Sequence, residues 1–526
     1  MNKIQSQNAV SKRGAQGYTP RHMVNSGYSH YGASFARKSL VGWLSHSASA
    51  DEDIVDNIKT LRSRSRDLYM GVPLATGAIK TIRTSVVGSG LMMSSHIDAN
   101  FLGLSKEQAA EWQQKTEREW LLWAEDVNCD ASRSCNFYEF QSLALLSALM
   151  SGDCFIALPY IKCPHCPYDL KLNLIEADRV CDPMDKSSLD NTILEGVEVG
   201  KYGEPVAYWV AKYHPYSIHR PFNDPDQTWK RVFAFNSHSG KRNILHLMCD
   251  VERPGQRRGV PLLAPVIEAF KQLGRYTDAE LVAAVVAGYF TVFITQNNPE
   301  NGIDPMFTGA PVDVSSKTVD PDDVSLGNGG IVNLAAGEKI ETANPGRPNT
   351  AFDGFVMAIC KQIGVALELP YELLVKCFNS NYSASRAAVL EAWRMFRMRR
   401  QWLVNRLCQP VYEEWLTEAV AKGRIEAPGF FDDPVIRKAW CRADWAGDTP
   451  GQLDPVKEVR ASILKINSGL STREHEAAEL NGMKFDTIAT ELGREKQILE
   501  DSGVMQTPQP PQEDNKQNDD EDRSKD

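Results

Sequence analysis

The sequence lacks any apolar stretch long enough to cross a membrane as a helix. Its longest, 281–294, has 14 residues, short of the roughly 18 that mark a candidate span. Met1 to Ala50 lacks the apolar core of a signal peptide and lacks any acidic residue while holding six basic ones, so export by that route is not expected. The eleven cysteines are odd in number and irregular in spacing. They do not read as a disulfide framework and are expected as reduced thiols. A basic excess is also missing: 58 basic against 68 acidic residues give −10, which argues against gripping nucleic acid through a net positive surface while leaving a local channel open.

Catalytic signatures are equally scarce. No G-x-S-x-G elbow occurs, which removes the nucleophile of an α/β-hydrolase. Gly327-Asn-Gly-Gly330 and Ala336-Gly-Glu-Lys339 have neither the glycine spacing nor the hydroxyl of a phosphate loop. No compact acidic motif is present to seat two magnesium ions. No internal repeat is visible. A membrane protein and a disulfide-stapled secreted protein are set aside, and the case for an enzyme weakens.

What remains is a long globular chain. Its 526 residues, 42% apolar and 24% charged, allow about three domains. Residues 1–50 read as a flexible arm, and the last segment, from Gln506, with seven acidic residues after Pro508, Pro510 and Pro511, reads as a disordered acidic tail. Between them, Asp51 to Gly88 is predicted helical with a break near Gly71-Val-Pro73. Ser105-Lys-Glu-Gln108 is a capping box opening a helix through Trp112, Trp120 and Trp123. Asn136 to Ser151 is a second helix, stopped at Gly152. Phe155–Ile161, Leu170–Ile175, Leu194–Val199 and Pro205–Val210 are predicted strands, so this half is α+β. Helix returns from Pro261 and gives way to strand near Gly288. Residues 296–347 form a small strand-and-loop module, and Asn349 to Leu367 a further helix. Tyr371 to Ser385 is polar and irregular. The longest helix, Ala384 to Ala421, would extend roughly 57 Å with a kink at Pro410, and a helical piece, Asp454 to Leu499, follows. The fold class is α+β, mainly helical.

Three features bear on chemistry. Cys163-Pro-His-Cys166 has metal-like spacing, but Cys163, His165 and Cys166 lack the second pair that a structural zinc needs; a turn shaped by Pro164 and Pro167 is the simpler reading. His475-Glu-Ala-Ala-Glu479 has Glu479 where a zinc-protease helix needs its second histidine. Arg62, Arg64 and Arg66, and Arg394, Arg397, Arg399, Arg400 and Arg406, form two basic clusters suited to carboxylate pairing between domains or subunits. Arg394, Arg397 and Arg400 are also candidates for phosphate contact.

The order of elements resembles the portal proteins of tailed bacteriophages. Local phrases resemble the lambda-type portal family: Ala78-Ile-Lys-Thr-Ile-Arg83 through Val87-Val-Gly-Ser-Gly-Leu91, Gly196-Val-Glu-Val199 with Gly203-Glu-Pro-Val-Ala-Tyr-Trp209, Arg258-Gly-Val-Pro261, Gln272-Leu-Gly-Arg-Tyr-Thr-Asp-Ala-Glu-Leu281 and Ser383-Ala-Ser-Arg-Ala-Ala388. The likeness spans residues 50 to 480. It implies a ring, usually of twelve subunits, at one vertex of the capsid, serving as the channel for packaging and ejection of genome DNA. It also implies docking of the terminase large subunit and a head-completion or adaptor protein, alongside the major capsid and scaffold proteins.

On this chain the resemblance makes 51–258 the wing, 259–290 and 348–367 the stem helices, 291–347 the clip, and 368–385 the tunnel loop. Residues 386–449 become the long wing helix with its following segment, and 450–503 a crown-like region. Asn379, Ser380, Asn381, Tyr382 and Ser383 would then face double-stranded DNA without reading its sequence. Twelve copies at −10 each would make a ring of about −120, and an acidic lumen sets no deep electrostatic trap for DNA. No cofactor, catalytic residue or membrane contact is expected. The chain would reside in the virion, after assembly in the host cytoplasm. The competing readings are a zinc-dependent nucleic-acid-processing enzyme and another phage virion or tail ring protein.

Overall fold

The computed structural model describes residues 38–40, 42–43, 47–183, 192–220, 226–288, 292–296, 338–342, 351–378, 382–449, 455–482 and 485–502. The first helix, α1 (Ala50–Gly71), opens with a reciprocal cap: Ser49 Oγ accepts from the Glu52 N–H and the Glu52 carboxylate accepts from the Ser49 N–H. Asp51, Glu52 and Asp53 in its first turn face the positive end of the helix dipole. The break falls where the sequence puts it, because Pro73 cannot donate within a helix and instead starts α2 (Pro73–Val86). A short strand, β1 (Met92–Ser95), and a single helical turn, α3 (Ala99–Leu102), lead to α4 (Lys106–Ala124). Its Ser105/Gln108 capping box is formed, and Asn136 with Glu139 makes another for α5 (Phe137–Ser151).

Two antiparallel sheets follow. One has the order β3-β2-β8, from β2 (Asp153–Ala157), β3 (Asn173–Ile175) and β8 (Ile244–Met248). The other runs β4-β5-β6-β7, from β4 (Ile193–Leu194), β5 (Val197–Val199), β6 (Pro205–Ala211) and β7 (Trp229–Phe233). Leu194–Val199, expected as one strand, is a hairpin corner, because Glu195 and Gly196 take positive φ values of 46° and 76° and turn the chain back on itself. Phe155, Ile175, Val180, Val197, Tyr208 and Ile244 form a buried cluster of their own.

Helix α6 (Ile267–Gly288) ends where the change of pattern indicates, and β9 (Val292–Gln296) pairs with β10 (Glu338–Thr342) in antiparallel register. These two strands are the described part of the 291–347 module; the rest of it lies outside the described residues, as do the arm 1–37 and the acidic tail 504–526. Next come α7 (Phe352–Ala366) and a short α8 (Tyr371–Val375). The irregular reading of 371–385 is therefore corrected at both ends. Pro370 starts a helical turn, and α9 (Tyr382–Leu403) begins before Ala384.

Just before Pro410, where a kink is expected, a π-helical turn, Val404–Cys408, joins α9 to α10 (Gln409–Ala421). The wider turn accommodates a proline that has no N–H to give and a ring that would crowd the preceding carbonyls. The chain closes with α11 (Pro434–Trp440), β11 (Ala443–Ala446), which pairs with β1, and α12 (Pro455–Asn467), α13 (Arg473–Asn481) and α14 (Phe485–Asp501).

The main core is organised on Trp120. Phe137, Tyr412, Trp415 and Trp445 meet its ring edge-on at 5.3, 5.6, 5.2 and 5.9 Å, the geometry favoured by aromatic quadrupoles. One side chain of α4 thereby ties α5, α10 and β11 together across some 300 residues of chain.

Candidate functional site

The site begins at a buried carboxylate. Gly152 ends α5 with φ 89°, which turns the chain directly into β2 and places Asp153 in the interior. Arg62 of α1 donates to Asp153 Oδ1 at 2.8 Å, and Arg258 donates through Nε at 2.7 Å and Nη2 at 3.2 Å. His246 Nε2 and the Gly259 N–H approach Oδ2 at 3.2 and 3.0 Å. Arg258 spends its remaining donors on the carbonyls of Val180, Glu195 and Ala177, so all five of its N–H groups are used. Burial alone would raise the Asp153 carboxyl, but Arg258 and Arg62 outweigh it and hold the group well below the usual range. Burial, reinforced by Arg258, brings the Arg62 guanidinium down to about 10. Arg66 adds an ion pair to Asp178 beside this cluster.

This network anchors the segment that leads into α6. Gly152 and Gly259 touch backbone to backbone, and a Cβ at either would come within 2.2 Å of the other's carbonyl oxygen. The phrase Arg258-Gly-Val-Pro261 thus locks the segment leading into α6 against β2 and the end of α5. From that root α6 runs beside α7: Tyr276 stacks on Phe352 at 5.5 Å and meets Phe355 edge-on at 4.7 Å. Leu281, Val282 and Val285 on α6, and Phe355, Met357 and Val365 on α7, remain exposed in the single chain.

Tyr382 opens α9 and Ser383 follows it; Asn379, Ser380 and Asn381 lie outside the described residues. Arg394 pairs with Glu391 at 2.9 Å and Arg397 with Glu479 of α13 at 3.4 Å. Arg400 turns inward: it donates to the carbonyls of Val86, Ser85 and Asp448 and packs against Trp393. Its guanidinium joins the end of α2 to the segment after β11 through Nε and Nη2. Arg62 and Arg258 were not legible as a pair, because the acid they share lies 91 and 105 residues away from them in sequence.

The expectation of eleven reduced thiols is corrected at one place: the structure joins Cys163 to Cys166. Their sulfurs face each other, and His165 does not converge with them into a metal-ligating group among the described residues. Glu176, Asp178 and His214 do converge, but Asp178 is already paired with Arg66 and Arg62.

Uncovered apolar helix faces fixed to a rigid buried root are the mark of an assembly subunit, a structural protein that packs against other chains. The comparisons with known proteins narrow that class. The profile of the family described as phage portal protein, lambda family, matches residues 36–400. The chain is similar to portal protein B of Escherichia phage lambda, 24% identical over 486 residues and covering 89% of each chain. It is likewise similar to the portal protein of Escherichia phage N15, 23% identical over 497 residues and covering 91% of each. Among solved structures it resembles the neck of a native gene transfer agent particle computed with C12 symmetry, at 13% identity and a TM-score of 0.46, over 80% of this chain and 93% of that one. It also resembles an HK97 family phage portal protein from Corynebacterium diphtheriae, at 12% identity and a TM-score of 0.29, over 70% and 92%.

The chain belongs to the lambda family of phage portal proteins. It is a viral portal protein, a structural component of the virion.

Proposed function

We propose that twelve copies of this chain close into a ring whose lumen carries double-stranded genome DNA into the head during packaging and out of it at ejection. The observation that carries this reading is the pair α6–α7. It is tied to the sheet domain through Asp153 and Arg258, and it keeps Leu281, Val282, Val285 and Val365 exposed in one chain. Side-by-side packing of such pairs buries what a single chain leaves in water. Residues 51–258 with 386–449 act as the wing, 259–290 and 348–367 as the stem, and 450–503 as the crown. The 291–347 clip docks the terminase large subunit and later the head-completion protein, while capsid and scaffold proteins meet the outer surface.

Asn379 to Ser383 face DNA as an uncharged polar stretch leading into α9, which limits counterion-release affinity and favours sliding. The chain makes and breaks no bond; it is a conduit and docking platform, assembled in the host cytoplasm. Light scattering with negative-stain imaging of the purified protein tests this. A ring with a central hole and radial wings is expected, and solitary chains at every concentration and salt would overturn it. Deleting Asn379 to Ser383 is expected to leave rings intact while reducing DNA packaging; loss of the rings would overturn the loop's assignment.

A further inference from the structure

The proposed function makes no use of the Cys163–Cys166 turn, and its geometry points to a chemistry of its own. We propose that Cys163 and Cys166 are a reversible dithiol–disulfide pair, a modification site that exchanges with small-molecule disulfides. The two Cα atoms lie 5.3 Å apart, inside the span a disulfide bridges. The Cys166 N–H donates to the Cys163 carbonyl at 3.1 Å, and Pro164 within the turn and Pro167 just after it restrict the backbone, which favours bringing the two sulfurs together.

The base of the turn is held without the sulfurs. Tyr160 bridges Leu170, the Ile161 N–H donates to the Asp169 carbonyl at 2.8 Å, and Glu418 of α10 accepts from the N–H groups of Asp169 and Leu170 at 2.6 and 2.9 Å. Opening and closing the bond is therefore confined to the tip. Lys162 precedes Cys163 and is exposed, and the positive charge of a neighbouring lysine favours the thiolate that attacks.

Cys163 and Cys166 are half-buried, whereas six of the nine other cysteines are buried. Burial pushes the thiols of Cys129, Cys154, Cys249, Cys408 and Cys441 up, which keeps them protonated and inert. In the exchange, one thiolate of the turn attacks a sulfur of the small disulfide and expels one small thiolate. The second thiolate of the turn then attacks the mixed disulfide and expels the other. The pair loses two protons and two electrons, and the small disulfide becomes two thiols.

The test uses the full folded chain equilibrated with oxidised and reduced glutathione at a series of ratios, blocked with iodoacetamide and digested with trypsin. Both cysteines fall in the peptide 163–171. As the mixture becomes oxidising, that peptide is expected to lose its doubly alkylated form and appear as an internally bonded form lacking two hydrogens. Reduction should reverse the change while the peptides of the buried cysteines stay constant. In Cys166→Ser the internal form should vanish and Cys163 should carry glutathione instead. A peptide doubly alkylated at every ratio would overturn the proposal. So would stoichiometric zinc that shields the pair from alkylation in the reduced protein, since that assigns a metal site.

Discussion

Arg258 grips Asp153 with two parallel hydrogen bonds, from Nε at 2.7 Å and Nη2 at 3.2 Å, and neither side chain reaches solvent. The paired charges sit where α1, β2, β8 and the root of α6 converge. Removing the acid alone strands the charges of Arg62 and Arg258 in the interior, and such an orphaned partner costs about 3–5 kcal/mol. Asp153→Asn is therefore expected to lower the urea midpoint by an amount equivalent to that range. A loss below about 1 kcal/mol in the denaturation curve would show that the network is not the anchor.

The same cluster predicts how acid acts. Burial disfavours the charged form of His246 and, despite the pull of Asp153, holds the imidazole below 6.5. The unfolded chain then takes up that proton first, so stability falls as pH drops from about 6.5. Asp153 has a depressed folded value, so its contribution is intact above about 4 and lost only as pH falls through that value. Urea curves between pH 8 and pH 4.5 should show a decline that His246→Gln flattens by up to about 1.4 kcal/mol per pH unit. Parallel slopes for the two proteins would remove His246 as the titrating group.

Two glycines make opposite predictions. At Gly259 a methyl would meet the Gly152 carbonyl oxygen at 2.1 Å, backbone against backbone, with no flexible atom to yield. Gly259→Ala is expected to destabilise by at least about 1–3 kcal/mol, the ordinary cost of overpacking. Gly274, within α6, has open space around its Cβ position, so Gly274→Ala is expected to stabilise the single chain by about 0.5–1 kcal/mol. Thermal melts of both variants decide this, and a shared sign would contradict the described packing.

Local chemistry was readable in advance and distant pairing was not. The Ser105 and Asn136 caps, the break before Pro73 and the change from helix to strand near Gly288 all depend on neighbours within a few residues. The pairing of β1 with β11 joins residues some 350 apart, Met93 opposite Trp445, and no periodicity announces it. β7 and β8 went unread because Lys230, Arg231 and His246 interrupt their apolar pattern. For the site, the polar 379–383 stretch and the arginine stripe stood out by composition. Yet Arg400 donates to backbone carbonyls, and the residue that organises the root of α6 is a lone aspartate at the head of an apolar strand. A lone acid in such a run shows its role only once its partners arrive from α1 and residue 258.

The stem face yields the sharpest test of the ring. Leu281, Val282 and Val285 are 66%, 62% and 52% exposed, so a single chain gains little from them. A charge placed there costs the isolated fold almost nothing. In a closed ring the same charge would be drawn out of water at every subunit contact, at a cost on the order of several kcal/mol each, repeated around the circle. Val282→Asp with Val285→Asp is therefore expected to leave the circular dichroism spectrum and the urea midpoint of the single chain unchanged. The mass measured by light scattering should fall from that of a ring to that of one chain. Rings of undiminished mass would mean that α6 turns this face toward something other than a neighbouring subunit, and the stem assignment would have to move elsewhere in the sequence.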